Sequence, residues 1–184
     1  MKRTLAFVLL LITFAASATS AEKVDSPQQS LEQALSAQKG NVVYIDFWAS
    51  WCGPCVKSFP WMNKIQQQYQ EQGFTVISIN LDADEMNAKQ FLQDNPASFA
   101  VIYDNKGTIA KHFSIQGMPT SMLISRDGVI KYRHSGFFTD KINKYEDEIK
   151  QLLNSSSTTL SKNITNETHN KTHNKTKRGN HESE

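Results

Sequence analysis

Cys52 and Cys55 are the only cysteines of the 184-residue chain, and they lie in the segment Trp51-Cys52-Gly53-Pro54-Cys55. Two cysteines with this spacing at the start of a helix can close to a disulfide and reopen to a dithiol. A structural disulfide more often joins distant segments, where it constrains the unfolded chain more strongly. A zinc site needs about four ligands, and no second Cys-x-x-Cys motif or neighbouring pair of histidines accompanies this one. The motif therefore predicts a redox centre that exchanges electrons with other thiols.

The residues around the pair indicate how it reacts. The mostly apolar run Val42 to Trp48, rich in β-branched and aromatic residues, predicts a buried parallel strand, and a helix is expected from Cys55 toward Gln72. Unpaired N–H groups and the positive dipole end at the helix start favour an anion, so we expect a lowered pKa for the Cys52 thiol. Cys52 is then the attacking thiolate, and the more buried Cys55 resolves the mixed disulfide.

Asp46 is the one carboxylic acid within the predicted strand. Burial in an apolar run raises the pKa of a carboxyl group. We therefore interpret Asp46 as the group that takes the proton of Cys55 and later returns it. The pattern leaves open the alternative that Asp46 has a structural role or reaches solvent.

The elements that position these residues follow from hydrophobic periodicity and turn signals. Strands are predicted at Val42 to Trp48, Phe74 to Asn80, Phe99 to Tyr103, Ser121 to Ser125, and Val129 to His134. Helices are expected after Ser26-Pro27, after Cys55, around Ala88, before Gln116 and after Thr139-Asp140. The inward face of the helix after Cys55 is predicted to hold Val56, Phe59, Met62, Ile65 and Tyr69. The order α-β-α-β-α-β-α-β-β-α, with an Asp-Gly turn in the last hairpin, implies an α/β fold. Its mixed central sheet is flanked by helices on both faces.

Both ends of the chain differ from this pattern. Residues 1–21 have a basic start, an apolar stretch and small residues suited to cleavage, which is typical of a signal peptide; an uncleaved membrane anchor is the alternative. Residues 26–153 form the predicted domain. Residues 155–184 contain no aromatic residue and few aliphatic ones, so we predict a disordered polar tail.

Charge and export limit the partners. Without Lys2 and Arg3 the chain has 18 basic and 18 acidic residues, which does not favour nucleic acid or an anionic membrane surface. Disulfides persist outside the cytoplasm, and the short signal suggests bacterial export to the periplasm; a eukaryotic secretory origin is the alternative. No stable membrane insertion is expected after removal of the signal, and no cofactor or metal is expected.

The segments Phe47 to Cys55 and Gly117-Met118-Pro119-Thr120 resemble the thioredoxin superfamily. The predicted helix and strand between Ala83 and Tyr103 resemble the middle insertion of its exported TlpA/ResA-like branch. The resemblance covers about Leu31 to Leu153. It implies a thioredoxin fold with a βα-type insertion and a cis peptide bond before Pro119. The residues it marks as catalytic are Cys52, Cys55 and Asp46, and those it marks as substrate-binding are Trp51, Gly53, Pro54, Met118 and Pro119.

Three positions depart from the pattern of that branch. Ser58 stands three residues after the second cysteine, where the branch commonly has an acidic residue. At the position of Asp46 the branch often has asparagine. Thioredoxin itself has aspartate there, as this chain does. Ser78 replaces the lysine that thioredoxins often place near that acid. The chain thus resembles a thioredoxin-type active site on a TlpA-like frame.

The sequence predicts an exported thiol-disulfide oxidoreductase that reduces disulfides of periplasmic proteins. Apocytochrome c cysteines are candidate substrates by family similarity, and a membrane thiol-disulfide electron donor is expected because the periplasm is kept oxidising. The alternatives are a disulfide-forming oxidant, a copper- or metal-handling chaperone of the same fold, and a peptide-binding module with incidental thiols.

Overall fold

The computed structural model describes residues 26–155. The predicted signal peptide lies outside the described residues, as does the predicted tail except for Ser155. Ser155 belongs to the last helix, and its hydroxyl donates a 2.7 Å hydrogen bond to the carbonyl of Leu152. The helical part of the chain therefore extends beyond the predicted domain boundary at residue 153.

The five strands form one mixed sheet in the order β3-β2-β1-β4-β5. Their bounds are β1 Val42–Trp48, β2 Phe74–Asn80, β3 Ala100–Tyr103, β4 Thr120–Ile124 and β5 Ile130–Ser135. β1 pairs with β2 and β2 with β3 in parallel, whereas β1–β4 and β4–β5 are antiparallel. The predicted α/β fold with a mixed sheet is confirmed. β1 and β2 have the predicted bounds, and the other three differ from prediction by one residue at one or both ends.

Helices cover both faces of the sheet, as predicted. Their bounds are α1 Pro27–Ala37, α2 Gly53–Tyr69, α3 Glu85–Asp94, α4 Thr108–His112 and α5 residues 142–155. Short 3-10 turns occupy Gln70–Gln72 and Thr139–Lys141. The predicted middle insertion corresponds to α3 and β3. At the start of α1, Ser26 and Gln29 form a reciprocal capping box, which satisfies two N–H groups that the helix itself leaves unpaired.

Alternate residues of β1 point into two separate hydrophobic cores. Tyr44 and Trp48 belong to the core under α2, α3 and α5, whereas Ile45 and Phe47 belong to the core under α1 and α4. Each fully buried large apolar side chain contributes about 1.5–3 kcal/mol to stability. Because side chains alternate along a strand, Asp46 lies on the same face as Tyr44 and Trp48. The carboxyl group therefore lies on the side of the sheet covered by α2.

The orientation of α2 corrects one prediction. Val56, expected to face inward, is 37% exposed, whereas Cys55, Phe59 and Met62 are buried. The helix begins at Gly53, and the buried line starts at Cys55 and continues at spacings of three and four residues. Val56 lies one residue, about 100° around the axis, from that line. Within residues 26–155, no helix is both long and apolar enough to cross a membrane.

Candidate active site

The two cysteines form a disulfide at the N-terminus of α2. Cys52 is the N-cap residue, and its carbonyl accepts the N–H groups of Cys55 at 3.0 Å and Val56 at 3.2 Å. The Cys52 N–H donates to the carbonyl of Ala49 at 3.1 Å. The N-cap location exposes the Cys52 sulfur to the positive end of the helix dipole when the disulfide is reduced, and this favours a thiolate.

The exposure of the two cysteines is unequal. Cys52 retains 5% exposure and Cys55 has none, whereas the adjacent Trp51 is 71% exposed. Only Cys52 can therefore meet a partner disulfide without a rearrangement of α2. Gly53 and Pro54 occupy the exposed first turn between them. The location of Pro54 there is compatible with the helix, because N–H groups in the first turn have no partner within the helix.

Asp46 lies on β1, on the sheet face covered by α2. Its side chain is 1% exposed, and its Oδ2 atom makes no hydrogen bond to any described residue. Burial raises the pKa of the Asp46 carboxyl well above its ordinary value. Its direct cross-strand neighbours are Ser78 on β2 and Ser121 on β4. A carboxyl group in this environment is favoured in its neutral, protonated form.

The Met118-Pro119 peptide bond is cis, as predicted, and it lies beside the cysteine-bearing end of the sheet. Thr120, the first residue of β4, pairs with Phe47 near the end of β1. An open groove of about 500 Å³ runs along Gly117 to Thr120 and is also lined by Arg133. The groove runs along the residues that lead into β4, and neither cysteine is among its lining residues.

A buried polar network that the sequence analysis missed supports the loop before Cys52. The carboxylate of Asp82, 1% exposed, accepts the Ser50 N–H at 2.9 Å, the Ser50 hydroxyl at 2.8 Å and the Asn80 amide at 2.7 Å. Asn80 ends β2 and Ser50 follows β1 closely, and these parallel strands end at the same edge of the sheet. Polar residues after two adjacent parallel strands were the signal that could have identified this network.

Within residues 26–155, no three side chains of His, Cys, Asp or Glu are grouped so that they could hold a metal ion. The histidines nearest to the sheet have other contacts: His134 lies 2.8 Å from Glu148, and His112 packs against Phe113. The histidines of the predicted tail lie outside the described residues.

Comparisons with known proteins agree with this geometry. A family model described as Redoxin matches residues 15–150. The thiol-disulfide oxidoreductase ResA of Geobacillus thermodenitrificans is 28% identical over 141 residues, which cover 77% of this chain and 78% of the relative. The ResA protein of Bacillus thuringiensis subsp. konkukian is 36% identical over 92 residues, which cover 50% of this chain and 53% of that relative. The matched region is thus about half the length of this second relative.

Solved structures show the same fold. A protein from Chlorobium tepidum described as thiol:disulfide interchange protein DsbE has 47% identity and a TM-score of 0.63, and the match covers 65% of this chain and 84% of that one. StoA from Bacillus subtilis has 26% identity and a TM-score of 0.52, with coverage of 59% and 82%.

The fold and the Cys52–Cys55 disulfide at the start of α2 define a thiol-disulfide oxidoreductase of the thioredoxin superfamily, as the sequence predicted. The chain belongs to the Redoxin family, and its relatives place it in the ResA/TlpA-like group.

Proposed function

We propose that this protein is exported and reduces disulfides of periplasmic proteins through the Cys52–Cys55 pair. The observation that carries the proposal is the unequal placement of the two sulfurs. Cys52 keeps slight exposure at the N-cap of α2, whereas Cys55 is fully buried on the side of the helix that faces the sheet carrying Asp46.

The reaction proceeds in two exchange steps. The Cys52 thiolate attacks one sulfur of the partner disulfide, so that a mixed disulfide forms and the other partner sulfur leaves as a thiolate, which takes a proton from solvent. Cys55 then gives its proton to ionised Asp46 and attacks the Cys52 sulfur. The second partner sulfur leaves and is protonated, while Cys52 and Cys55 are oxidised to the disulfide. Two electrons have moved from the protein to its partner.

Asp46 is proposed as the general base of the second step. Cys55 is fully buried and cannot lose its proton to solvent. Asp46 lies on the sheet face covered by α2 and has an oxygen with no hydrogen-bond partner among the described residues. A base with a raised pKa is suited to exchange a proton with a thiol, because efficient proton transfer needs donor and acceptor pKa values close to the working pH.

The groove beside Met118 and Pro119 is proposed as the substrate-binding surface, together with Trp51, Gly53 and Pro54. An extended substrate segment would pair with the backbone of Met118, in the manner of an added strand. The exposed ring of Trp51 offers apolar contact area beside Cys52.

The proposed direction of electron flow is from this protein to its partner, outside the cytoplasm. The Gly53-Pro54 dipeptide favours a reducing pair, near the thioredoxin value of about −270 mV rather than the value of about −120 mV for DsbA. The signal-like residues 1–21 favour export, and an exported reductant requires a membrane thiol-disulfide donor. Proteins with accessible disulfides are the proposed substrates, including the cysteines of apocytochromes c.

Insulin reduction driven by dithiothreitol tests the proposed reaction. Cys52→Ser should abolish catalysis, and Cys55→Ser should accumulate a mixed disulfide with insulin. Asp46→Asn should slow resolution by about 10²-fold, the lower range for loss of a general base. Unchanged resolution in Asp46→Asn from pH 6 to pH 9 would remove Asp46 from the mechanism. A potential above about −150 mV against glutathione would favour an oxidant instead.

Mixed-disulfide trapping with Cys55→Ala in the native host tests the cellular role. Periplasmic proteins and a membrane thiol donor should be captured on Cys52. N-terminal sequencing of the mature protein from the periplasmic fraction tests cleavage near residue 21. A protein that stays in the cytoplasm with an intact N-terminus would contradict the proposed export.

A further inference from the structure

A row of polar residues crosses the sheet on the face that carries Asp46. Asp46 on β1 lies opposite Ser121 on β4, and Ser121 lies opposite His134 on β5. Residues directly opposite each other in an antiparallel pair share a face and have Cβ atoms about 4.5–5.5 Å apart. Ser121 is thus the cross-strand neighbour of Asp46 on this face, although Oδ2 of Asp46 has no hydrogen-bond partner among the described residues.

Distances continue the row from Ser121 to the edge of the molecule. The Ser121 hydroxyl lies 3.3 Å from Nδ1 of His134, at hydrogen-bonding distance. Nε2 of His134 lies 2.8 Å from Oε2 of Glu148 on α5. The side chains of His134 and Glu148 are 13% and 10% exposed, whereas Asp46 is only 1% exposed. The row thus runs from the core beneath α2 to a pair that keeps only slight exposure, in which Oε2 of Glu148 is shielded from solvent.

Other titratable groups face this pair. Lys144 lies 3.9 Å from the second oxygen of Glu148, and the ring of Tyr145 packs against His134 with centroids 4.8 Å apart. Tyr44 interacts with Ser121, and burial together with the nearby Asp46 raises the Tyr44 pKa well above its ordinary value. Burial also raises the pKa of Tyr145. Both phenols are therefore neutral near pH 7.

We propose that Ser121, His134 and Glu148 form a proton relay that connects Asp46 to solvent. In the relay His134 carries its proton on Nε2, 2.8 Å from Oε2 of Glu148, and accepts the Ser121 hydroxyl proton on Nδ1. That Oε2 atom has no hydrogen bond in the described residues, so the ring and the carboxylate must turn toward each other to pass the proton. The Asp46 proton passes to the Ser121 oxygen, the Ser121 proton passes to His134, and the His134 proton leaves through Glu148. Asp46 loses one proton and the solvent gains one. Ser121 and Glu148 each gain and lose a proton, and His134 changes only its tautomer.

The relay rests on the proposed role of Asp46 and supplies a step that this role needs. A carboxyl group kept protonated by burial must release its own proton before it can accept that of Cys55. Asp46 has no exposed path of its own. The hydroxyl, imidazole and carboxylate occur in the order used to move a proton from a serine in hydrolases. Ser121 is only 4% exposed, so it does not meet a substrate and passes protons only within the row.

The reaction of the reduced protein with dithiobis(nitrobenzoate) has two phases, and the rate of the second phase measures the relay. Reduced protein releases a first thionitrobenzoate in a second-order phase, when Cys52 attacks, and a second in a first-order phase, when Cys55 resolves. We expect His134→Ala and Glu148→Gln to slow the second phase roughly tenfold near pH 7, less than loss of the direct base. The first phase should change by less than about twofold, because it depends on the Cys52 thiolate alone.

Free imidazole separates proton transfer from a packing effect. Added imidazole should restore the second phase of His134→Ala, since the site keeps slight exposure, and should not restore Asp46→Asn. His112→Gln, at a histidine of α4 outside the row, is the control and should behave like the parent. Urea midpoints of each variant show that the fold is retained.

Each other outcome overturns a defined part of the inference. If His134→Ala and Glu148→Gln match the parent from pH 6 to pH 9 while Asp46→Asn is slow, the relay is refuted and the role of Asp46 stands. If His134→Ala is slow without imidazole rescue and Glu148→Gln is normal, His134 has a packing role and the relay is refuted. If Asp46→Asn also matches the parent, the proposed base itself is wrong.

Discussion

Asp82 holds Ser50 by two hydrogen bonds, one from the backbone N–H at 2.9 Å and one from the hydroxyl at 2.8 Å, although 32 residues separate them. Ser50 lies two residues before Cys52. The end of β2 therefore fixes the loop that carries the attacking sulfur. Because Asp82 is buried and accepts a third bond from Asn80, its carboxylate is satisfied within the protein and holds the loop in one conformation.

We expect Asp82→Ala to lower the free energy of unfolding of the oxidised protein by about 3 kcal/mol, since it leaves the Ser50 N–H and the Asn80 amide without their acceptor. Urea unfolding measures the change. Asp84→Ala is the matched control, because Asp84 is an exposed N-cap of α3, and such a cap is worth about 1 kcal/mol. Equal losses in the two variants would contradict the special role of Asp82.

The buried carboxyl of Asp46 should make stability fall as the pH rises. An unfolded aspartate ionises near about pH 3.9, whereas folded Asp46 stays protonated to a higher pH. Between these values the folded state binds more protons, so the free energy of unfolding decreases with pH. The loss is about 1.4 kcal/mol for each unit by which the folded pKa exceeds the unfolded one.

Asp46→Asn removes this titration and tests it. The measurement uses the oxidised protein, where the cysteines do not titrate. The urea midpoint of the variant minus that of the parent should increase from pH 4 to pH 8. All other titrating groups are common to both proteins. A constant difference over this range would show that Asp46 is ionised in the folded state.

Trp51 should contribute to substrate binding and little to stability, because 71% of it is exposed. We expect Trp51→Ala to raise the KM for insulin several-fold with kcat nearly unchanged. This pattern follows when a lost contact had stabilised the bound substrate and the transition state equally. Val129→Ala is the control. Val129 is also exposed, but it lies in the β4–β5 turn at the opposite end of the sheet. A fall in kcat with unchanged KM would place Trp51 in the chemistry instead.

Arg126 joins three segments at the end of the sheet remote from the cysteines. Its guanidinium donates to the carbonyls of Gly40 at 2.9 Å, Gln72 at 2.8 Å and Leu153 at 3.4 Å. Arg126→Ala should lower the free energy of unfolding by about 2–3 kcal/mol, because bonds from a charged donor are lost.

Arg126→Lys should recover less than half of that loss, since an ammonium group lacks the planar fork that reaches several carbonyls. Thermal unfolding measures both variants, and the Cys52 reaction should be unaffected. Full recovery in the lysine variant would show that charge alone accounts for the effect.

The sequence by itself determined the elements and the reactive pair. β1 and β2 begin and end where the apolar runs Val42 to Trp48 and Phe74 to Asn80 predicted. The cysteines lie at the start of α2, as expected. These features depend on patterns within a few residues, namely burial periodicity, the turn residues and the spacing of two cysteines, and such patterns are readable without knowledge of distant contacts.

Only the tertiary structure decided which polar residues meet. The row Asp46, Ser121 and His134 exists because β4 pairs with β1 on one side and with β5 on the other in one register. A shift of one residue would turn each side chain to the opposite face. Ser121 and His134 each read as ordinary strand residues in the sequence, and Asp82 reads as a loop residue. Their contacts depend on strand order and register, which are set by the packing of the whole domain rather than by local pattern.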